Sequence, residues 1–197
     1  MKLLLASKSA TRRRMLEAAG VPFGTAEGGF DEESAKAELR ARRVGAAELA
    51  LALAEAKALA VDAAPELVVL GSDQVLERED GSLLDKAGSR GELAEQLRSL
   101  SGRPHRLHSA AVAVAAGKPV WRAAEAVTLH MRRFSDAFLD AYLDRDYDEV
   151  RWSVGGYHAE GRGAQLFERI EGSHFAVLGL PLLPLLEFLR TQEILPV

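Results

Sequence analysis

The sequence has no cysteine among its 197 residues, which removes disulfides, thiolate zinc sites and cysteine nucleophiles together and is compatible with a reducing cytoplasm. It also has no apolar stretch approaching the roughly 18 residues that a membrane span needs. Leu3-Leu4-Leu5 breaks at once into serines and arginines, too short for the hydrophobic part of a signal peptide. A formal net charge of only −4 gives no broad basic face for nucleic acid or an anionic membrane. No low-complexity linker divides the chain. What these absences leave is an ordinary globular protein, 48% hydrophobic and long enough for one sizeable domain or two small lobes. It is expected to be soluble and cytoplasmic, with no membrane or nucleic-acid partner.

The first informative stretch is KLLLASKSATRRRMLEAAGVPF at 2–23. Three leucines read as a buried strand, Ser7 or Ser9 can cap a following helix, and Met15, Leu16 and Ala19 form its inward face. Arg12, Arg13 and Arg14 crowd the first turn or so, where the macrodipole disfavours cations. An anion held by helix N–H groups, serine hydroxyls and guanidinium forks would offset that repulsion, and a phosphate fits best. A solvated basic turn is the plainer reading of the same residues.

Residues 24–34 are turn-rich and end in Asp31-Glu32-Glu33; 35–43 and 46–61 read as alanine-rich helices, the second with Leu49, Leu53 and Ala56 or Ala60 inward and Glu55 and Lys57 near its middle. The run 67–70 is a second buried strand and opens into Gly71-Ser72-Asp73-Gln74. Ligands of open α/β sheets gather beyond the carboxyl ends of strands, which puts Asp73 at the same edge as Ser7 and Arg13. There Asp73 could bind Mg²⁺ or orient a water, or simply cap the next turn. Residues 77–91 read as a surface hairpin or lid carrying Asp85 and Lys86. A short helix follows at 92–100, then β-like runs at 107–115 and 120–131 about a Gly117-Lys118 turn, so the sheet is mixed. His105 and His108 point to opposite faces and share no metal. Ser135 caps a helix over 136–145, and Pro181 is placed in the first turn of a final helix. The glycines of 154–163 let backbone approach a ligand, with Tyr157 and Glu160 as polar groups among them. That stretch resembles neither the dinucleotide fingerprint nor a P-loop.

Taken in order, ASKSATRRRMLEAAGVPF, Asp31-Glu32, LALAEAKA, VVLGSDQV, Lys86, GGYHAEG, LFERIEG and VLGLPLLPL resemble the Maf family of nucleoside triphosphate pyrophosphatases over nearly the whole chain. The resemblance implies one Maf-like domain over 1–197: an α/β, ITPase-like fold with a mixed sheet, flanking helices and two lobes around a cleft, usually in a homodimer. It also implies a reaction in which a divalent cation, Mg²⁺ or Mn²⁺, helps water cleave a nucleoside triphosphate between its α and β phosphates. By the family pattern Ser7, Arg12 and Arg13 lie at the phosphate-binding loop, Glu32 assists metal or water, Lys57 and Lys86 meet the polyphosphate, and Asp73 is the general base and a metal ligand. Positioning and charge neutralisation are what phosphoryl chemistry asks of a protein, and these residue types supply both.

Gln74 after the aspartate and the AEGRGAQLFERIEG segment look most like the branch that hydrolyses 7-methyl-GTP; the dTTP and UTP branch has threonine after the aspartate and glutamine at the position of Glu160. The base-recognition set implied is Thr11, Gln74 and Glu160. At Thr11 the first branch carries tryptophan and the second arginine, so this position follows neither. Ala87 and Ala176 also depart from the family's proline and asparagine.

Overall fold

The computed structural model describes residues 2–196. Lys2–Ala6 forms β1, with Leu3 and Leu5 buried on one face and Leu4 half-buried on the other. It lies between two parallel neighbours, β2 (Phe23–Thr25) and β3 (Leu67–Arg78). The register sets Leu3 opposite Phe23 and Val68 and ends with Ala6 opposite Gly71. With β4 (Leu83–Leu84), β5 (Pro104–Ala115), β6 (Lys118–Met131) and β7 (Phe167–Glu171) these strands form a seven-stranded sheet of order β2-β1-β3-β5-β6-β7, β4 pairing with β3. The β3–β4 and β6–β7 pairs are antiparallel, so the sheet is mixed, as read from the sequence.

Helices flank it: α1 (Ala10–Ala18), α2 (Glu32–Ala41), α3 (Ala46–Leu59), α4 (Arg90–Leu100), α5 (Asp136–Val150), α6 (His174–Val177) and α7 (Leu182–Thr191). Ser9 and not Ser7 caps α1, accepting from the Arg12 N–H at 3.3 Å; Ser135 caps α5, accepting from the Phe138 N–H. Among the described residues no helix is long and apolar enough to cross a membrane.

Four local readings are corrected. The strand that begins at Leu67 does not open into a loop at Gly71 but continues to Arg78; Ser72 stays buried because its Oγ donates to the Ala110 and Gly179 carbonyls at 2.8 and 3.0 Å. The turn between β5 and β6 is Ala116-Gly117, at φ 48° and 70°, one residue earlier than expected, with the positive φ at both positions that a type I′ hairpin turn requires. Helix α5 runs on to Val150, past Arg145. Pro181 stands at the N-cap of α7, ahead of its first turn.

The chain divides into two compact units, one holding the residues up to Gln74, 108–125 and those from Ser173 on, the other Val75–Leu107 and Ala126–Gly172. In the first, Leu3, Leu5, Val68, Leu70, Ala111 and Ala113 from the sheet pack with Met15 and Leu16 of α1 and Leu185, Phe188 and Leu189 of α7. Each such leucine contributes about 1.5–3 kcal/mol by leaving water. On its other face β3 meets α3 so closely that a Cβ at Gly71 would collide with the Ala54 carbonyl oxygen. The second unit buries Leu93 and Leu97 of α4 and Leu139 and Leu143 of α5. It also holds His105, whose Nε2 lies 2.7 Å from the Tyr157 hydroxyl. Burial lowers the His105 pKa to about 4, so the imidazole is neutral at ordinary pH.

Candidate active site

Side chains alternate along a strand, so Gly71 and Asp73 face α3 while Ser72 and Gln74 face the other way. Because β1 pairs only as far as Ala6 opposite Gly71, Ser72 and Asp73 stand just beyond its carboxyl end, where Ser7 starts the loop into α1. The missing Cβ at Gly71 lets α3 sit against the strand. Lys57 then reaches Asp73, Nζ to Oδ1 at 2.5 Å, and on its other side Glu32, Nζ to Oε2 at 2.8 Å.

Lys57 lies on the same helical stripe as Ala50, Leu53 and Ala54, all buried, and its side chain is only 17% exposed. An ammonium in that place requires countercharge, which the two carboxylates supply. Asp31 caps α2, accepting from the Ser34 N–H, and so puts Glu32 in the first helical turn, where the macrodipole favours a carboxylate. Lys36 holds the other oxygen of Glu32 at 2.8 Å. Burial alone would raise the Glu32 pKa, but the hydrogen bonds and charges of Lys36 and Lys57 outweigh it and bring the group down to about 2. Asp73 is nearly buried, and its Oδ2 receives no hydrogen bond from the described residues.

Arg12 is the member of the arginine run that turns inward. Its Nε donates to the Gly179 carbonyl at 2.8 Å, and its Nη1 to the Ser72 carbonyl at 3.0 Å and to Ser7 Oγ at 3.3 Å. Burial lowers its pKa while Asp73 and Glu32 pull it back up, and the guanidinium stays charged. The repulsion foreseen between the arginines and the helix dipole is thus offset, for Arg12, by acceptors of the protein itself. Arg13 and Arg14 are exposed; Arg13 lines an open groove with Glu17, Phe23 and Thr25.

One unit therefore brings together Ser7, Arg12, Glu32, Lys57 and Asp73. Thr11, half-buried, is next to Arg12 on α1. Gln74 faces away from Asp73, and its amide N–H groups are already engaged by Ser109 Oγ at 2.9 Å and the Ala176 and Val177 carbonyls, both at 3.0 Å; only its Oε1 is left for a ligand. Lys86, just after β4, and Glu160, in the glycine-rich segment, are exposed residues of the second unit.

Glu32 and Asp73 reach the same ammonium, so their oxygens lie no more than two hydrogen-bond lengths apart. Two carboxylates so placed fit Mg²⁺ or Mn²⁺, which typically take one or two carboxylates and fill their other positions with water and substrate phosphate oxygens. Among the described residues no group of three or more His, Asp or Glu side chains forms an all-protein cage.

This cluster falls where the fold joins the opening strand, Asp73 and the loop before the last helix, and a family model described as Maf-like protein matches residues 2–192. The chain belongs to the Maf family. Curated relatives extend along nearly its full length. A nucleoside triphosphate pyrophosphatase of Sphingopyxis alaskensis is 45% identical over 197 residues, covering 100% of both chains. One of Caulobacter vibrioides is 47% identical over 193 residues, 98% of this chain and 96% of its own. A third, of Granulibacter bethesdensis, is 45% identical over 198 residues and covers 100% of both.

Three members of this cluster escaped the reading of the sequence. Lys36 carried a signal, the Glu-to-Lys spacing of four from Glu32 that pairs side chains on a helix. The Ser72 and Gly179 carbonyls that fix Arg12 carried none, since a backbone acceptor has no residue signature.

Proposed function

We propose that this chain, a nucleoside triphosphate pyrophosphatase like its relatives, acts on 7-methyl-GTP or a related purine-type nucleotide, giving the monophosphate and pyrophosphate. The observation that carries the reaction is the contact of Lys57 with both Asp73 and Glu32 beside the inward-turned Arg12. Water attacks the α phosphorus, the bond from that phosphorus to the bridging oxygen breaks, and pyrophosphate leaves with the electron pair. Asp73 takes the water's proton at Oδ2, and Lys57 holds the carboxylate in place through its contact with Oδ1. Ser7, Arg12 and Arg13 meet the phosphates at the start of α1, and Lys57 and Lys86 add positive charge as negative charge moves to the leaving group. Glu32 and Asp73 would hold the divalent cation, which supplies Lewis-acid polarisation of the phosphoryl oxygens.

The base assignment is supported by Glu160. It is exposed, and among the described residues it has no hydrogen-bond or ion-pair partner, so its carboxylate is open to a ligand. A carboxylate can accept from guanine N1–H and the 2-amino group and favours a base that carries positive charge, as 7-methylguanine does. Thr11 and the Oε1 of Gln74 complete the set. The working unit is one pyrophosphatase domain over 1–197, cytoplasmic, and by family resemblance a homodimer.

Pyrophosphate release measured across 7-methyl-GTP, GTP, dTTP and UTP, with Mg²⁺, with Mn²⁺ and after chelation, tests this reading. The expected result is metal-dependent turnover with the highest kcat/KM for 7-methyl-GTP. Faster hydrolysis of dTTP and UTP would overturn the base assignment. No turnover of any nucleotide despite tight binding would make the protein a nucleotide-binding regulator.

A further inference from the structure

The glycine-rich segment that carries Glu160 is fastened on both sides of it, and both fastenings come from α5. Before Glu160, the Tyr142 hydroxyl donates to the Gly156 carbonyl at 3.1 Å. After it, Arg162 closes a fork on Asp146: Nε donates to Oδ2 at 2.9 Å and to Oδ1 at 3.1 Å, and Nη2 to Oδ1 at 2.9 Å. Tyr142 and Asp146 are four apart and so share one helix face. Arg162 stands between Gly161 and Gly163, where the backbone has the greatest freedom to lose.

An ion pair with one partner half in solvent contributes little to stability; Arg162 is 54% exposed in its side chain. A bidentate fork nevertheless fixes direction, because two parallel N–H···O bonds allow one orientation of the guanidinium. Asp146 is itself only 8% exposed, on a rigid helix, so the fork transfers the helix's order to the backbone two residues from Glu160. We infer that Asp146 is a positioning residue for base recognition, acting through Arg162 to preset where the Glu160 carboxylate stands. The inference rests on the reading of Glu160 as the group that meets the base. Preorganisation of this kind removes an ordering cost at the moment of binding and should appear mainly in KM, with kcat changing less.

The test is the ratio of kcat/KM for 7-methyl-GTP to that for UTP in wild type, Asp146→Asn, Glu160→Gln and the double variant. Asp146→Asn should move the ratio in the same direction as Glu160→Gln, by about tenfold, the worth of one charge-assisted hydrogen bond. It should add nothing further on the Glu160→Gln background, since two residues serving one contact are not additive. A merely structural role would lower both substrates alike and leave the ratio in place, and that result overturns the inference. Should Asp146→Asn lose its cooperative melting transition, Arg162→Lys serves instead, because lysine keeps the charge without the fork; an unmoved ratio there overturns the inference equally. A wild type that prefers UTP would sink the purine assignment, yet a ratio shifted alike by both single variants would still uphold the positioning role.

Discussion

Lys57 on α3 meets Asp73 on β3 at 2.5 Å, and the approach exists because Gly71, on the same face of the strand two residues earlier, presents no side chain to the Ala54 carbonyl. Strand, helix and ion pair are thus one geometric unit.

Asp73→Asn keeps the volume and removes the charge. Loss of a general base costs about two to four orders of magnitude in rate, so kcat should fall by that much while the circular-dichroism melting transition stays cooperative. A folded Asp73→Asn protein with near-normal kcat would place the base elsewhere, with Glu32 or Glu33 next in line.

Gly71→Ala forces backbone and helix apart. Overpacking of this kind costs about 1–3 kcal/mol, read as a lowered urea midpoint. Because Lys57 moves with α3, kcat/KM should drop as well, although residue 71 carries no functional group. An unchanged midpoint would mean that α3 shifts without strain.

Among the arginines, Arg12→Ala should weaken nucleotide use most, Arg13→Ala less and Arg14→Ala least, since Arg12 alone is turned toward Ser7 and Ser72. Arg12→Lys should not rescue, because a point charge cannot bond Gly179, Ser72 and Ser7 together. Equal losses from all three alanine variants, fading with salt, would instead indicate diffuse charge.

Acid should destabilise the protein in two steps. The unfolded chain protonates His105 at its usual 6.5 but the native protein not until about 4, so stability declines as pH falls through that window. Glu32 has its native pKa at about 2 against the usual 4.5; the stability its ionised form contributes is complete above 4.5 and is lost as pH falls toward 2. Urea midpoints taken from pH 7 to 2 should show both declines, and Glu32→Gln should flatten only the lower one.

The apolar signals of the sequence translated directly into structure. Three leucines became β1, Ser9 and Ser135 became caps, and the arginine run opened a helix. What could not be read was where polarity is buried: Ser72 and Asp73 look like a loop after Leu70, and the strand absorbs Ser72 through the acceptors at Ala110 and Gly179 and Asp73 through Lys57. Lys57 was legible as a helical residue, but its place on the inward stripe gains meaning only from carboxylates 16 and 25 positions away in the chain. Gln74 had the opposite fate, since its partners at Ser109, Ala176 and Val177 draw its amide into the protein.

Arg12 gathers Ser7, Ser72 and Gly179 onto one guanidinium, contacts drawn from the opening, the middle and the closing stretch of the chain. During synthesis the first two acceptors emerge early and Gly179 emerges late, after every candidate carboxylate and lysine is already made. A nascent chain therefore carries the whole chemical complement of the site with its arginine unfastened. Competence to hold a nucleotide should therefore arrive late in translation, and a ribosome-stalled product ending before Gly179 is expected to bind none.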